Sequence, residues 1–280
     1  MPRRRPARGA GRVPAARGLV RPALIGAVLG ALIAVPVFAP ASWLARAVSD
    51  ATDGHLLLAD ARGSVWHGSA LPVLTGGAGS RDAAALADRL HWRVGLTWQN
   101  GPALVVHPSQ PCCVNEGVAL RVRPGIQGGS ATLVAPPGGA GQWPSAWLAG
   151  LGTPWNTLQL GGSMRLVSPG LTLGWTAGRL RVAGSATLEL LDVSSTLSTL
   201  PSLGSYRFEV TGTAAGDAPP QLTLSTLRGA LRLDGSGTWG PGGMRFRGDA
   251  RAETGDAAAL DNLLNIIGRR DGARSVISIG

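Results

Sequence analysis

The sequence predicts a mainly β protein: an N-terminal single transmembrane helix, then an exported antiparallel β-sheet domain, a curved groove-like meander with a few short helices. Three observations carry that reading. An uncharged apolar stretch, residues 22–45, follows a basic leader. From residue 155 onward, short segments place apolar side chains at every second position. Glycine is abundant, 42 residues, without the three-residue period of collagen, so turns are frequent.

The apolar stretch PALIGAVLGALIAVPVFAPASWLA lies between Arg21 and Arg46. As a helix its 24 residues would span roughly 36 Å, against a hydrocarbon core of about 30 Å. Pro36 and Pro40 fall toward the outer end, and Trp43 falls where an indole prefers the membrane interface. Residues 1–21 hold seven arginines and no acid, which the positive-inside rule keeps cytoplasmic. The predicted organisation is a leader over 1–21, a transmembrane helix over 22–45 and an exported domain over 46–280, with a sub-boundary near 124–154. A single-pass membrane protein with its N-terminus in the cytoplasm follows. The competing reading is a cleaved signal peptide ending near Ala39-Pro40-Ala41. Against it, the stretch is longer than an ordinary signal core and places proline beside the scissile bond.

The formal charge of +10 is concentrated in the leader; residues 22–280 carry 19 arginines against 16 acids. That distribution argues against a nucleic-acid partner. Lysine is absent from the chain, which excludes a Walker A loop and Schiff-base chemistry.

Element by element, residues 47–61 read as a short helix, a turn at Asp53-Gly54 and a strand from His55. RGSVWHGSA (62–70) continues as strand and turn, with Val65 and Trp66 as its buried side chains. Ala83–Asp88 reads as one helical turn. Leu90, Trp92, Val94, Leu96 and Trp98 share one face of a half-buried strand. Residues 103–107 and 117–123 are further strands, and 124–154 is loop-rich, with a short helix at Ser145–Gly150. The alternating segments then follow: TLQL, SMRLV, LTLGW, RLRVAG, ATLELLDV, SYRFEV, QLTLSTL, ALRLDGSG and MRFRGDARAE. Turns such as Pro169-Gly170 separate them, and no helices intervene, so the strands are antiparallel. Leu260, Leu263, Leu264 and Ile267 have helical spacing between Asp256 and Gly268, and SVISI closes as a strand.

Few residues invite a chemical reading. Gly235-Ser236-Gly237-Thr238-Trp239-Gly240 fits a dinucleotide fingerprint by spacing, but a strand follows where the mechanism needs a helix. No serine occupies a nucleophile elbow. His55, His67, His91 and His107 lack metal-ligand spacing, although His107, Cys112 and Cys113 could meet in space. No catalytic, metal or cofactor site is predicted, and no enzyme. Cys112 and Cys113 are adjacent in a compartment that is oxidising. A vicinal disulfide, intermolecular bridges and two buried thiols all remain open; the vicinal disulfide, serving as a stiff turn, is the reading adopted.

Several pieces together resemble one family: the basic leader and apolar span, GSVWHG, Pro111-Cys112-Cys113, LGTPWNTLQL (151–160), LSTLPSLGSYRF and the ending NLLNIIGRRDGARSVISIG. They are similar to protein N of the bacterial type II secretion system. The resemblance implies a non-catalytic inner-membrane component that supports export of folded proteins across the outer membrane, through periplasmic contacts with other subunits of the system. Gly63, Val65, Trp66 and Gly68 match its motif and are expected to be structural. The meanders also look like the groove-forming sheets of the AsmA-like superfamily, which implies an alternative: a lipid-binding or lipid-transfer module. An inner face left open and lined by Leu, Val and Trp favours lipid; a face packed on itself or on the 256–267 helix favours assembly.

Overall fold

The computed structural model describes residues 26, 30, 34–99, 101–125, 128–176, 179–213, 218–240 and 243–280. The chain divides into two compact units, Met1–Ala39 and Pro40–Gly280. The leader over 1–21 lies outside the described residues. In the first unit, residues 34–37 are helical.

The transmembrane helix expected over 22–45 is corrected here. Among the described residues no helix is long and apolar enough to cross a membrane. The helical residues end before Phe38, and Pro40 is extended (φ −71, ψ 151) and bridged to Ser64. A separate helix, α1 (Ala41–Ala51), begins immediately after it. Proline explains the break: it has no N–H to continue a helical ladder, yet is tolerated where a new helix starts. Absence of charge had merged two segments, the second of which buries Ala41 against Ala70 and Trp92. Residues 22–25, 27–29 and 31–33 lie outside the described residues. Single-span anchoring, with the single-pass inner-membrane location drawn from it, is withdrawn.

After α1 the second unit is almost entirely sheet. Its strands are β1 (Leu56–Gly63), β2 (His67–Thr75), β3 (Ala83–Ala85), β4 (Leu90–Thr97), β5 (Ala103–Ser109), β6 (Ala119–Gly125), β7 (Gly128–Val134) and β8 (Gly141–Pro144). A 3-10 segment (Ser145–Leu151) and the one-turn α2 (Trp155–Leu158) lead into two 17-residue strands, β9 (Leu160–Thr176) and β10 (Arg179–Ser195). Then come β11 (Gly204–Gly212), β12 (Gln221–Arg228), β13 (Leu231–Gly240), β14 (Gly243–Ala252), α3 (Ala257–Ile267), β15 (Arg269–Asp271) and β16 (Arg274–Ile279). The order across the sheet is β1-β2-β4-β5-β6-β7-β9-β10-β11-β12-β13-β14-β16-β15, with β3 on β2 and β8 on β9. Each described strand pairing is antiparallel.

Four local expectations change. TLQL is not a strand segment: Thr157 and Leu158 belong to α2, Gln159 turns with φ +43, and β9 begins only at Leu160. Ala83–Asp88 gives β3 rather than a helical turn, because Val73, Leu74 and Thr75 offer a strand to pair with, and one turn of helix cannot nucleate alone. Pro169-Gly170 is not a turn: β9 runs through it with a register shift opposite Ala186. Gly128–Val134 forms β7 inside a stretch that reads as loop, its glycines hiding an alternation that the partner strands complete.

Two clusters make the core. The larger packs α3 and α2 on β9 to β14, with Leu260, Leu263 and Leu264 almost fully buried and Met164, Leu190, Tyr206, Leu224 and Phe246 beneath them. The spacing i, i+3, i+4 places those leucines on one stripe. The smaller packs α1 on Ala70 and Trp92.

Antiparallel pairing gathers the strand ends along two rims. One rim, called here the first, collects the C-terminal ends of β4, β6, β9, β11, β13 and β16 with the N-terminal ends of β5, β7, β10, β12 and β14. At the opposite rim, residues 141–158 act as a strap. Paired through β8 to β9, the strap reaches β3, where Trp147 Nε1 donates to the Ala84 carbonyl (3.0 Å) and Asn156 Nδ2 to Asp82 Oδ1 (3.2 Å). It thereby joins parts of the sheet that β4, β5, β6 and β7 separate.

Candidate binding face

Register decides which side chains share a face. Leu96, Leu104, Val122, Ala131, Leu173 and Val182 are successive partners across six strands, as are Met164, Leu190 and Tyr206. Residues on β9 that face inward are odd-numbered above Pro169 (Leu171, Leu173, Trp175) and even-numbered below it (Met164, Leu166). The bulge at Ser168-Pro169 makes the switch, so both halves of a long strand serve one face. Ser168, itself buried, holds the bulge by donating to the Ser185 carbonyl (2.8 Å) and accepting from the Gly170 N–H (3.2 Å).

The inner face is apolar from β4 to β16, but only its ends are covered. Leu104, Leu120, Val122, Leu133, Leu171 and Leu173 are half-buried and belong to neither core cluster. Beside α3 the face encloses a cavity of about 330 Å³ lined by Leu222, Phe208, Met244, Phe246, Leu263 and Ile277 among others. Its polar exception is Tyr206, whose hydroxyl donates to the Leu231 carbonyl (3.1 Å) and whose burial pushes the phenol pKa up. Ile266 and Ile279 line the cavity and remain exposed, marking its mouth.

The outer face is polar and cross-linked by charge. Glu189 is the partner of Arg165 on β9 and of Arg207 on β11, and accepts from both (2.6 and 2.9 Å). The Arg165 hydrogen bond holds its carboxyl below the ordinary 4.5, with desolvation opposing and Arg207 assisting. A folded-state pKa lowered below the unfolded value stabilises above about pH 4.5 and is lost as pH falls through the lowered value. Acid melting curves should show it: Glu189→Gln is expected to flatten the fall in melting temperature below that pH.

The motif residues have structural surroundings. Gly63 has φ +86 and a side chain there would meet the His67 carbonyl at 2.5 Å. Gly68 lies against Trp92, whose ring atom Cζ2 would stand 2.4 Å from an added Cβ. Trp92 Nε1 donates to the Val65 carbonyl (3.0 Å), and the Trp66 carbonyl accepts from Val94 (2.8 Å). Val65 and Trp66 are half-buried in the β1–β2 turn. The fully buried indole is Trp92, at 3% exposure; the signal for it is the alternation of Leu90–Trp98, in which it holds a central position.

The sulfurs of Cys112 and Cys113 are joined to each other. Their turn roots the strap: Gln142 N–H donates to the Cys113 carbonyl (2.8 Å), and Val114 bridges both Gln110 and Gly141. Among the described residues, no group of three or more His, Cys, Asp or Glu is placed to hold a metal. Gly235 and Gly237 of the fingerprint-like stretch lie within β13, close-packed on Phe246.

Against known families, residues 55–277 match Type II secretion system (T2SS), protein N. The chain belongs to that family. The matched span covers β1 to β16 except the last two residues of β16, so the sheet is the T2SS protein N domain, a non-catalytic part of the secretion system. Comparison with the curated proteins and with the solved structures found no match.

Proposed function

We propose that this T2SS protein N domain works in the periplasm as a contact piece of the secretion machine, meeting other subunits through its uncovered inner face. The observation that supports this is that both sheet edges are guarded while the face is not. β15 is three exposed residues, Arg269–Asp271. β1 is bent by a register shift at Asp60, which has φ +49 and carries ion pairs to Arg62 and Arg89. Short charged strands and bulges discourage strand addition. An apolar surface without a cover is the remaining site for a partner. Photocrosslinking in intact cells, from probes at Leu173 inside and Thr223 outside, tests this. Adducts with secretion subunits from the inner probe alone are expected.

The cavity beside α3 supports a second reading, in which the face shelters an acyl chain. Lipid retained by the purified chain in native mass spectrometry would favour it.

A further inference from the structure

The first rim differs in chemistry from the rest of the sheet. Leu96, Trp98, Trp175, Leu180, Trp239 and Ile279 all stand at strand ends along it and are all exposed, Trp98 at 75%, Trp175 at 41% and Trp239 at 42%. Of the other exposed apolar side chains, Val35, Val37, Phe38 and Trp43 fall within residues 35–43, and Val134, Leu227 and Ile266 stand apart from one another along the chain. By register and alternation the six rim residues occupy inner-face positions.

Arginines occupy the opposite face of the same strand ends: Arg121 and Arg123 on β6, Arg181 on β10, Arg245 and Arg247 on β14. None of the five makes an ion pair or side-chain hydrogen bond among the described residues, and the Nε atoms of Arg121 and Arg123 are buried without a partner. By contrast, Arg165–Glu189–Arg207, Arg232–Glu253, Arg251–Asp234 and Arg274–Asp249 all lie toward the opposite rim. The strap also closes on that opposite side, leaving the apolar face to run out at the first rim.

Indoles settle at the level of lipid headgroups, and arginines reach from an apolar surface toward phosphates. A row of both, with cations on one face and apolar tips on the other, is complementary to an anionic interface rather than to a neutral or basic protein surface. We propose that the first rim docks edge-on to the surface of an anionic phospholipid bilayer, with Trp98, Trp175 and Trp239 at headgroup depth and Arg123, Arg181 and Arg245 on phosphates. Among the described residues no segment crosses the bilayer in this arrangement. The proposal goes beyond the partner contact above and does not depend on it.

Hydrogen exchange of the full chain, with vesicles of phosphatidylglycerol and phosphatidylcholine in equal parts and with phosphatidylcholine alone, tests it. Peptides from Val94–Leu104, Leu171–Val182 and Gly237–Phe246 should gain protection with the anionic vesicles, and peptides at the opposite rim should not. Arg123→Gln, Arg181→Gln and Arg245→Gln together should raise the lipid concentration for half protection on the order of a hundredfold, from about 1 kcal/mol per arginine at an anionic surface. None of the three makes an ion pair or side-chain hydrogen bond among the described residues, so the melting temperature should stay unchanged. Equal protection on both vesicle types would overturn the proposal. So would protection confined to residues before Pro40, or rim protection that grows with protein concentration in the absence of lipid, which would mark a contact between copies.

Discussion

Replacing Trp92 with alanine is expected to lower the unfolding free energy by about 3–5 kcal/mol, the range for a large aromatic removed from a core. The indole is 3% exposed and forms the floor on which α1 rests through Ala41. It also satisfies the Val65 carbonyl (3.0 Å), and Gly68 is bare where the ring lies. Truncation therefore removes packing, a hydrogen bond and the surface against which the β1–β2 turn is set. The half-buried Trp66 should cost less on the same change. Chemical denaturation of both variants measures the difference, and a larger loss for Trp66→Ala would reverse this assignment of the anchor.

Leu260→Ala is expected to cost about 2–5 kcal/mol. Leu260 has no exposed surface and sits on the α3 stripe that caps the larger cluster. The helix cannot compensate through its caps, since Asp256 makes no side-chain cap hydrogen bond and Gly268 is extended. The two clusters share no residues, so the Trp92 and Leu260 losses should add to within about 0.5 kcal/mol. A clear departure from additivity would show that the two clusters are energetically coupled.

Much of the sheet was legible in the alternation of Leu90–Trp98, Tyr206–Val210 and Met244–Ala252, because burial on one face imposes a period of two. The α3 stripe was legible for the matching reason at a period of 3.6. What alternation conceals is continuity. SMRLV and LTLGW read as two strands because the bulge at Ser168-Pro169 shifts the phase, and a local reading takes a phase shift for a turn. β7 was lost because glycine carries no pattern. The span over 22–45 failed for another reason: counting uncharged residues cannot see that Pro40 divides them and that Ala41 belongs to a helix packed on a sheet. The Trp66 motif marks the β1–β2 turn, where Trp66 is half-buried and the more deeply buried indole is Trp92. Trp92, 26 positions later in the sequence, fills the space that Gly68 leaves, and only the β2–β4 register brings them together. The cavity and the arginine-lined rim depend on pairing across many strands, which no local pattern contains.

The account rests on the inner face, rather than the outer face or the edges, being where this T2SS protein N domain meets its partner. Secretion by cells carrying Leu173→Asp or Thr172→Asp, neighbours on opposite faces of β9, tests it most directly, with melting temperature and protein level recorded for each. The inner charge is expected to abolish export of folded substrates while the outer one leaves it intact, both chains remaining folded. Full export with a folded Leu173→Asp chain would contradict the account.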